Sequence, residues 1–237
     1  MRSKISPRMK SRLIVGIVTF FSVAAARAAD IATTLHFNPD LSREANPLSS
    51  VLGFDASLLI ASNVIGVLLF VTIPLLVYVF YGPAKIDETA CTLNDYISLQ
   101  LYRDKLARTH LLRGLFLGWP FPRNWLQTTR VIGFALSWAV VFGSLQAAFA
   151  WWATNQWGMD WYKQYRASIN FHGYPVLEII PVLLVFYSMG YVHFRREFNT
   201  EQLSGRTQGG GIEMTLVTTT LNTVAEWRSR HGERFTK

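Results

Sequence analysis

Leu58–Tyr81 reads LLIASNVIGVLLFVTIPLLVYVFY, a run without one charged side chain. At 1.5 Å rise per residue, a helix over this stretch is about 36 Å long, and a hydrocarbon core is about 30 Å thick. Three more apolar stretches accompany it, at Leu13–Ala29, Val131–Trp152 and Pro175–Phe194, with Arg27 and Glu178 as their only charges. A soluble domain of this size has no use for four such runs. They predict an all-α, polytopic membrane protein with four transmembrane helices.

The rest of the composition agrees. The chain has 237 residues, 50% apolar and 16% charged, against about 25% charged in soluble domains. Trp119, Trp125, Trp151, Trp152, Trp157 and Trp161 lie at or just beyond the ends of the spans, where an amphipathic ring gains from the headgroup zone. The single cysteine, Cys91, excludes an intramolecular disulfide and any cysteine-based metal cluster. A net charge of +8 would point to nucleic acid in a soluble protein. Here it reflects the lysine and arginine bias that orients membrane helices, and no nucleic-acid partner is expected.

That bias alternates along the chain. Residues 1–12 hold five basic side chains, 30–56 one, 82–130 seven, 153–174 two and 195–237 seven. The positive-inside rule then places both termini and the central connection in the cytoplasm. The expected organisation is a basic N-terminus (1–12), a membrane domain (13–194) with a helical cytoplasmic connection (82–130), and a cytoplasmic tail (195–237). The start has a second reading. Basic residues, an apolar run and Ala26-Arg27-Ala28 before Ala29-Asp30 also fit a secretory signal with an A-x-A cleavage site. Cleavage would leave three spans. The polar residues of this helix favour its retention, and either reading implies a bacterium-like export context and a multi-pass protein of the inner membrane.

Within the connection, about Thr92–Arg113 lacks glycine and proline and predicts a helix capped by Thr92 or Asn94. The apolar segment Leu111–Pro122 is too short to span. It fits either the cytoplasmic interface of the bilayer or a place under the bundle. Trp151–Tyr174 is dense in aromatics and predicts an outer interfacial helix. In the tail, Met214, Val217, Leu221 and Val224 follow helical spacing and predict a helix over 212–230, although the interposed threonines leave a strand open. Pro74 predicts a kink near Phe70, the carbonyl it cannot satisfy.

Polar residues at membrane depth are the functional leads, because each is expensive there unless partnered. Arg27, Asp30 and Thr34 share one face if the first helix continues. Asn63, Gln146 and Glu178 fall at comparable depth on the other three helices. The six could form one cluster, either as an Arg27–Glu178 ion pair with structural hydrogen bonds or as a site for a headgroup, ion or proton. A metal is not expected: Asp30, His36, Asp40, Glu44 and His172 are the outer candidates, yet no two histidines stand at i, i+3 or i+4 and no HExxH occurs. No GxSxG is present, and Gly209-Gly210-Gly211 lacks a phosphate loop's lysine. No cofactor is implied.

Asp30-x-x-Thr33-Thr34 at the end of one apolar helix, followed by Glu44-x-Asn46-Pro47-Leu48 before the next, resembles a family of small prokaryotic membrane proteins of unknown function. The resemblance covers about residues 13–80 and marks Asp30, Thr33, Thr34, Glu44 and Asn46. It implies no reaction. Taken together, these features lead us to expect a non-catalytic subunit or scaffold, partnered by the bilayer and by another membrane protein or a second copy. The alternative is a lipid-handling enzyme or small transporter using Arg27, Asp30 and Glu178.

Overall fold

Between Trp125 and Asn155 the chain places Gly133, Ala135, Ser137, Ala139, Ser144 and Ala148 where neighbouring helices press closest. Small residues let backbones approach, and close approach drives helix association where hydrophobic burial cannot. This helix is the axis of the fold. The computed structural model describes residues 7–40, 55–84, 86, 90, 92–168, 170–171, 174–175 and 178–202. Met1–Phe194 forms one unit and Arg195–Lys237 a second.

In the first unit, α1 runs Pro7–Phe37, α2 Ala56–Phe80, α3 Leu93–Tyr102, α4 Arg108–Leu117, α5 Trp125–Asn155 and α6 Asp160–Ser168. A two-residue antiparallel ladder pairs Asn170 with Pro175 and Phe171 with Tyr174. A last helix, α7, runs from 178 to the unit's end at 194. In the second unit the described residues, 195–202, are also helical, and Thr200 Oγ1 donates to the Arg196 carbonyl at 2.8 Å. The expected tail helix at 212–230 lies outside the described residues.

Met9–Phe37, Ala56–Phe80 and Trp125–Asn155 are long and apolar enough to cross a membrane. α1 outruns the expected span of 13–29 at both ends, so Arg27 and Asp30 sit inside the helix rather than at its close. Its buried stripe, Gly16, Thr19, Val23 and Ala26, has the 3-4-3 spacing of one helical face. α1 lies along α5, and the second half of α2 packs on both, with Val79 of α2 against Gly16. Leu75, Tyr78 and Val79 form the core there with Val15, Phe20 and Phe134. Large apolar side chains such as Phe21, 66% exposed, turn away from that core.

Near Phe70, where a kink is expected, the helix carries an irregular turn. Leu68–Thr72 is a π turn, in which the Ile73 N–H reaches the Leu68 carbonyl. Pro74 lacks the N–H that would close the next α turn, so the ladder slips by one residue just before it. Thr72 Oγ1 supports the slipped turn by donating to the Val67 carbonyl at 3.2 Å.

The connection differs from expectation in one respect. Thr92 does cap the helix, in a reciprocal box with Asp95, but the helix does not reach Arg113. It stops at Arg103, which adopts a left-handed φ of 58°, and a second helix starts at Arg108. α3 then goes under the bundle, with Tyr96–Tyr102 buried throughout. α4 buries only Leu111 and Gly114 and leaves Leu112, Phe116 and Leu117 exposed.

Candidate functional site

We call the end of the unit bearing Phe37, Ala56 and Asn155 the upper end. Arg27 lies three residues before Asp30 on α1, so the two side chains share a face. The guanidinium Nη1 donates to Asp30 Oδ2 at 2.7 Å and to Ser144 Oγ on α5 at 3.2 Å. The short first contact is a charge-assisted bond, and the second ties α1 to α5. Thr33 turns back on its own helix and donates to the Ala29 and Asp30 carbonyls. Thr34 is buried about 10 Å beyond Arg27 along the helix axis.

A second group forms around Glu178. Gln146 Nε2 on α5 donates to the Glu178 backbone carbonyl at 3.2 Å, and the Tyr162 hydroxyl donates to Glu178 Oε1 at 3.0 Å. Tyr162 is held for this by burial against Ala150, Ala153 and Met159, which docks α6 on α5. The six candidates therefore divide. Arg27 and Asp30 pair with each other, Glu178 joins Gln146 and Tyr162, and no Arg27–Glu178 ion pair forms. The reason is local: a partner three residues away on the same helix needs no tertiary placement, whereas Glu178 is already engaged by α5 and α6.

Asn63 joins the first group through a cavity of about 510 Å³. Arg27, Ser62, Asn63 and Ser144 supply its polar wall, and Phe70 and Val71 of the π turn contribute to its apolar wall. The slipped turn in α2 thus faces the same space as the paired guanidinium. Glu44 and Asn46 lie outside the described residues, as does His172. Among the described residues no three of His, Cys, Asp and Glu converge as metal ligands. His36 instead packs its ring against Phe37 and Trp152.

Sequence reasoning missed Ser144 and Tyr162 as members of these groups, because only tertiary packing brings them to their partners. It also gave Arg130 no role beyond the count of basic residues. Arg130 is fully buried in α5, and its Nε donates to Gln127 Oε1 at 2.7 Å. Gln127 Nε2 donates in turn to the Gly82 carbonyl at 2.8 Å. Two residues on, the buried Gln100 amide grips both backbone groups of Ala84, at 3.0 and 2.9 Å. The chain leaving α2 is therefore clamped on both α3 and α5. The available signal was the i, i+3 spacing of Gln127 and Arg130.

No family model matches the chain, and neither a curated protein nor a solved structure matches it.

Proposed function

We propose that this chain is a multi-pass protein of a bacterial inner membrane, acting as a non-catalytic subunit or scaffold of a membrane complex. In this reading α7 is a fourth span and both ends face the cytoplasm. Val182 and Gly190 of α7 approach Gly143, Val131 and Ala135 of α5, while Ile179, Leu183, Leu184 and Val192 are exposed; that division suits a helix between a bundle and lipid. The lysine and arginine bias supports the orientation. The single observation that carries the scaffold role is the pairing of the upper polar groups. Arg27, Gln146 and Tyr162 each direct their donors to other residues of the chain, as structural braces do.

Cross-linking in intact membranes, followed by purification in mild detergent and mass measurement, tests this reading. A stoichiometric second chain, or a second copy of this one, is the expected result. A monomer with no protein partner overturns it. Reporter fusions after Phe54 and after Trp157 should be active only on the periplasmic side; activity in the cytoplasm overturns the orientation.

A second reading has its own observation. A lipid-handling enzyme or small transporter using Arg27, Asp30 and Glu178 is favoured by the cavity beside Arg27, whose polar end and apolar walls suit an amphiphile. Asn63→Leu and Ser62→Val separate the two. Loss of a co-purifying lipid with the protein partner retained favours the lipid role, and unchanged lipid content favours the scaffold.

A further inference from the structure

Four arginines at the lower end of the unit, Arg103, Arg108, Arg113 and Arg123, are exposed, and among the described residues none of their side chains makes a hydrogen bond or an ion pair. From Arg103 to Arg123 the chain carries five lysine and arginine side chains and one acid, Asp104. The fold gathers two of these arginines. The Leu101 carbonyl accepts from the Arg123 and Asn124 backbone N–H groups at 3.0 and 2.9 Å, which sets Arg123 beside the left-handed turn at Arg103. Hydrated surface charges name no ligand by themselves. What lies next to these ones narrows the choice.

Residues of α3, α4, α5 and α7 line a cavity of about 500 Å³, the size of a small-molecule site. Tyr102, Leu112 and Pro122 of its wall are the chain neighbours of Arg103, Arg113 and Arg123, so the charges stand at its rim while no charged side chain lines its interior. Phe121, Trp125 and Tyr191 of the wall are each more than half exposed, so the cavity is open to its surroundings. α5 has 31 residues and is about 46 Å long, against a hydrocarbon core of about 30 Å. Centred in a bilayer, it leaves Trp125 and the preceding Arg123 in the headgroup layer and carries Ile132 and Ala135 into hydrocarbon. Both of these also line the cavity, which therefore runs from a basic rim to an apolar depth. A soluble anion would use the arginines without the cavity, and a neutral lipid the cavity without the arginines. We propose that this end of the protein binds an anionic phospholipid, with its phosphate at Arg103 and Arg123 and one acyl chain in the cavity beside Trp125. The inference rests on the chain crossing a membrane and is independent of the scaffold role.

The test uses the full chain, delipidated in mild detergent and titrated with phosphatidylglycerol or phosphatidylcholine of identical acyl chains, with bound lipid counted by native mass spectrometry. Phosphatidylglycerol should bind about tenfold tighter or more, because the choline cation of the other lipid offsets its phosphate. One arginine near an anionic headgroup is worth about a fivefold change in affinity. Arg103→Gln and Arg123→Gln should each weaken phosphatidylglycerol binding by that factor and leave phosphatidylcholine binding nearly unchanged. Lys10→Gln, which removes an exposed base of α1 outside the cavity, should alter neither. Ile132→Trp fills the cavity and keeps every arginine; it too should weaken phosphatidylglycerol binding, with an unchanged melting temperature showing that the bundle is intact. Equal affinity for the two lipids, or the same loss in Lys10→Gln as in Arg103→Gln, overturns the site and leaves only diffuse attraction to a basic surface. Full binding in Ile132→Trp overturns the place of the acyl chain. Recovery of the chain in the membrane fraction is scored separately, so lipid selectivity can fail while the membrane reading stands.

Discussion

Replacing Arg27 by Gln removes the cation that neutralises Asp30, and Asp30→Asn removes the anion that neutralises Arg27. Their contact is 2.7 Å, and the two side chains are 25% and 15% exposed. Breaking a fully buried pair costs about 3–5 kcal/mol, and a charge at membrane depth costs about 3 kcal/mol on insertion scales. The residual exposure places this pair at the lower end, at about 2–3 kcal/mol for each single substitution. The double substitution leaves two amides that hydrogen-bond without net charge, so it should cost about as much as one single. That is a coupling energy of about 2 kcal/mol. Reversible unfolding in mixed micelles, followed by tryptophan fluorescence, measures all four corners of the cycle. As a control, Arg27→Gln combined with Glu178→Gln should be additive within about 0.5 kcal/mol, because the guanidinium contacts Asp30 and Ser144 instead. Additivity in the first cycle together with coupling in the second would refute the pairing.

Gly133→Ala should destabilise the bundle by about 2 kcal/mol in the same assay, since its new Cβ would meet the Pro74 ring and backbone, which cannot give way. Gly143→Ala, whose Cβ would stand 3.4 Å from a Val182 methyl, should be neutral or slightly stabilising through helix propensity; equal effects at both positions would contradict the packing. Tyr162→Phe should cost about 1–2 kcal/mol by removing the bond to Glu178, and this loss should disappear in a Glu178→Met background, which has no acceptor oxygen, if the carboxylate is its origin. Burial raises the Tyr102 pKa, so above about pH 10 the unfolded chain releases this proton before the folded one does. The folded state then holds more protons, and stability must fall as pH rises. Alkaline melts should show that decline in the wild type and a shallower one in Tyr102→Phe; parallel declines would assign it elsewhere.

Much of this architecture is local, and for that reason legible in the chain. Span length depends on how many consecutive residues are apolar, so Leu58–Tyr81 declared a helix without reference to any neighbour. Thr92 and Asp95 form their capping box within a single turn, and Pro74 disrupts the hydrogen bonds of its own helix. Arg27 and Asp30 share a face because they are three residues apart. What the helices do to one another was not legible. Whether Arg27 meets Asp30 or Glu178 depends on where α5 and α6 hold Glu178, through Gln146 and Tyr162. Arg130 reads only as one of the basic residues of the connection until Gln127 and Gly82 are seen around it. The break at Arg103 follows from the same limit, because no residue between Thr92 and Arg113 is a helix breaker. The left-handed turn there is sustained by what α3 gains from burial under the bundle, while Leu101 accepts from the Arg123 and Asn124 backbone N–H groups at 3.0 and 2.9 Å. Hydropathy and capping are properties of one segment and its solvent. Pairing of polar groups, and the two cavities between helices, are properties of surfaces that meet only when the chain has folded.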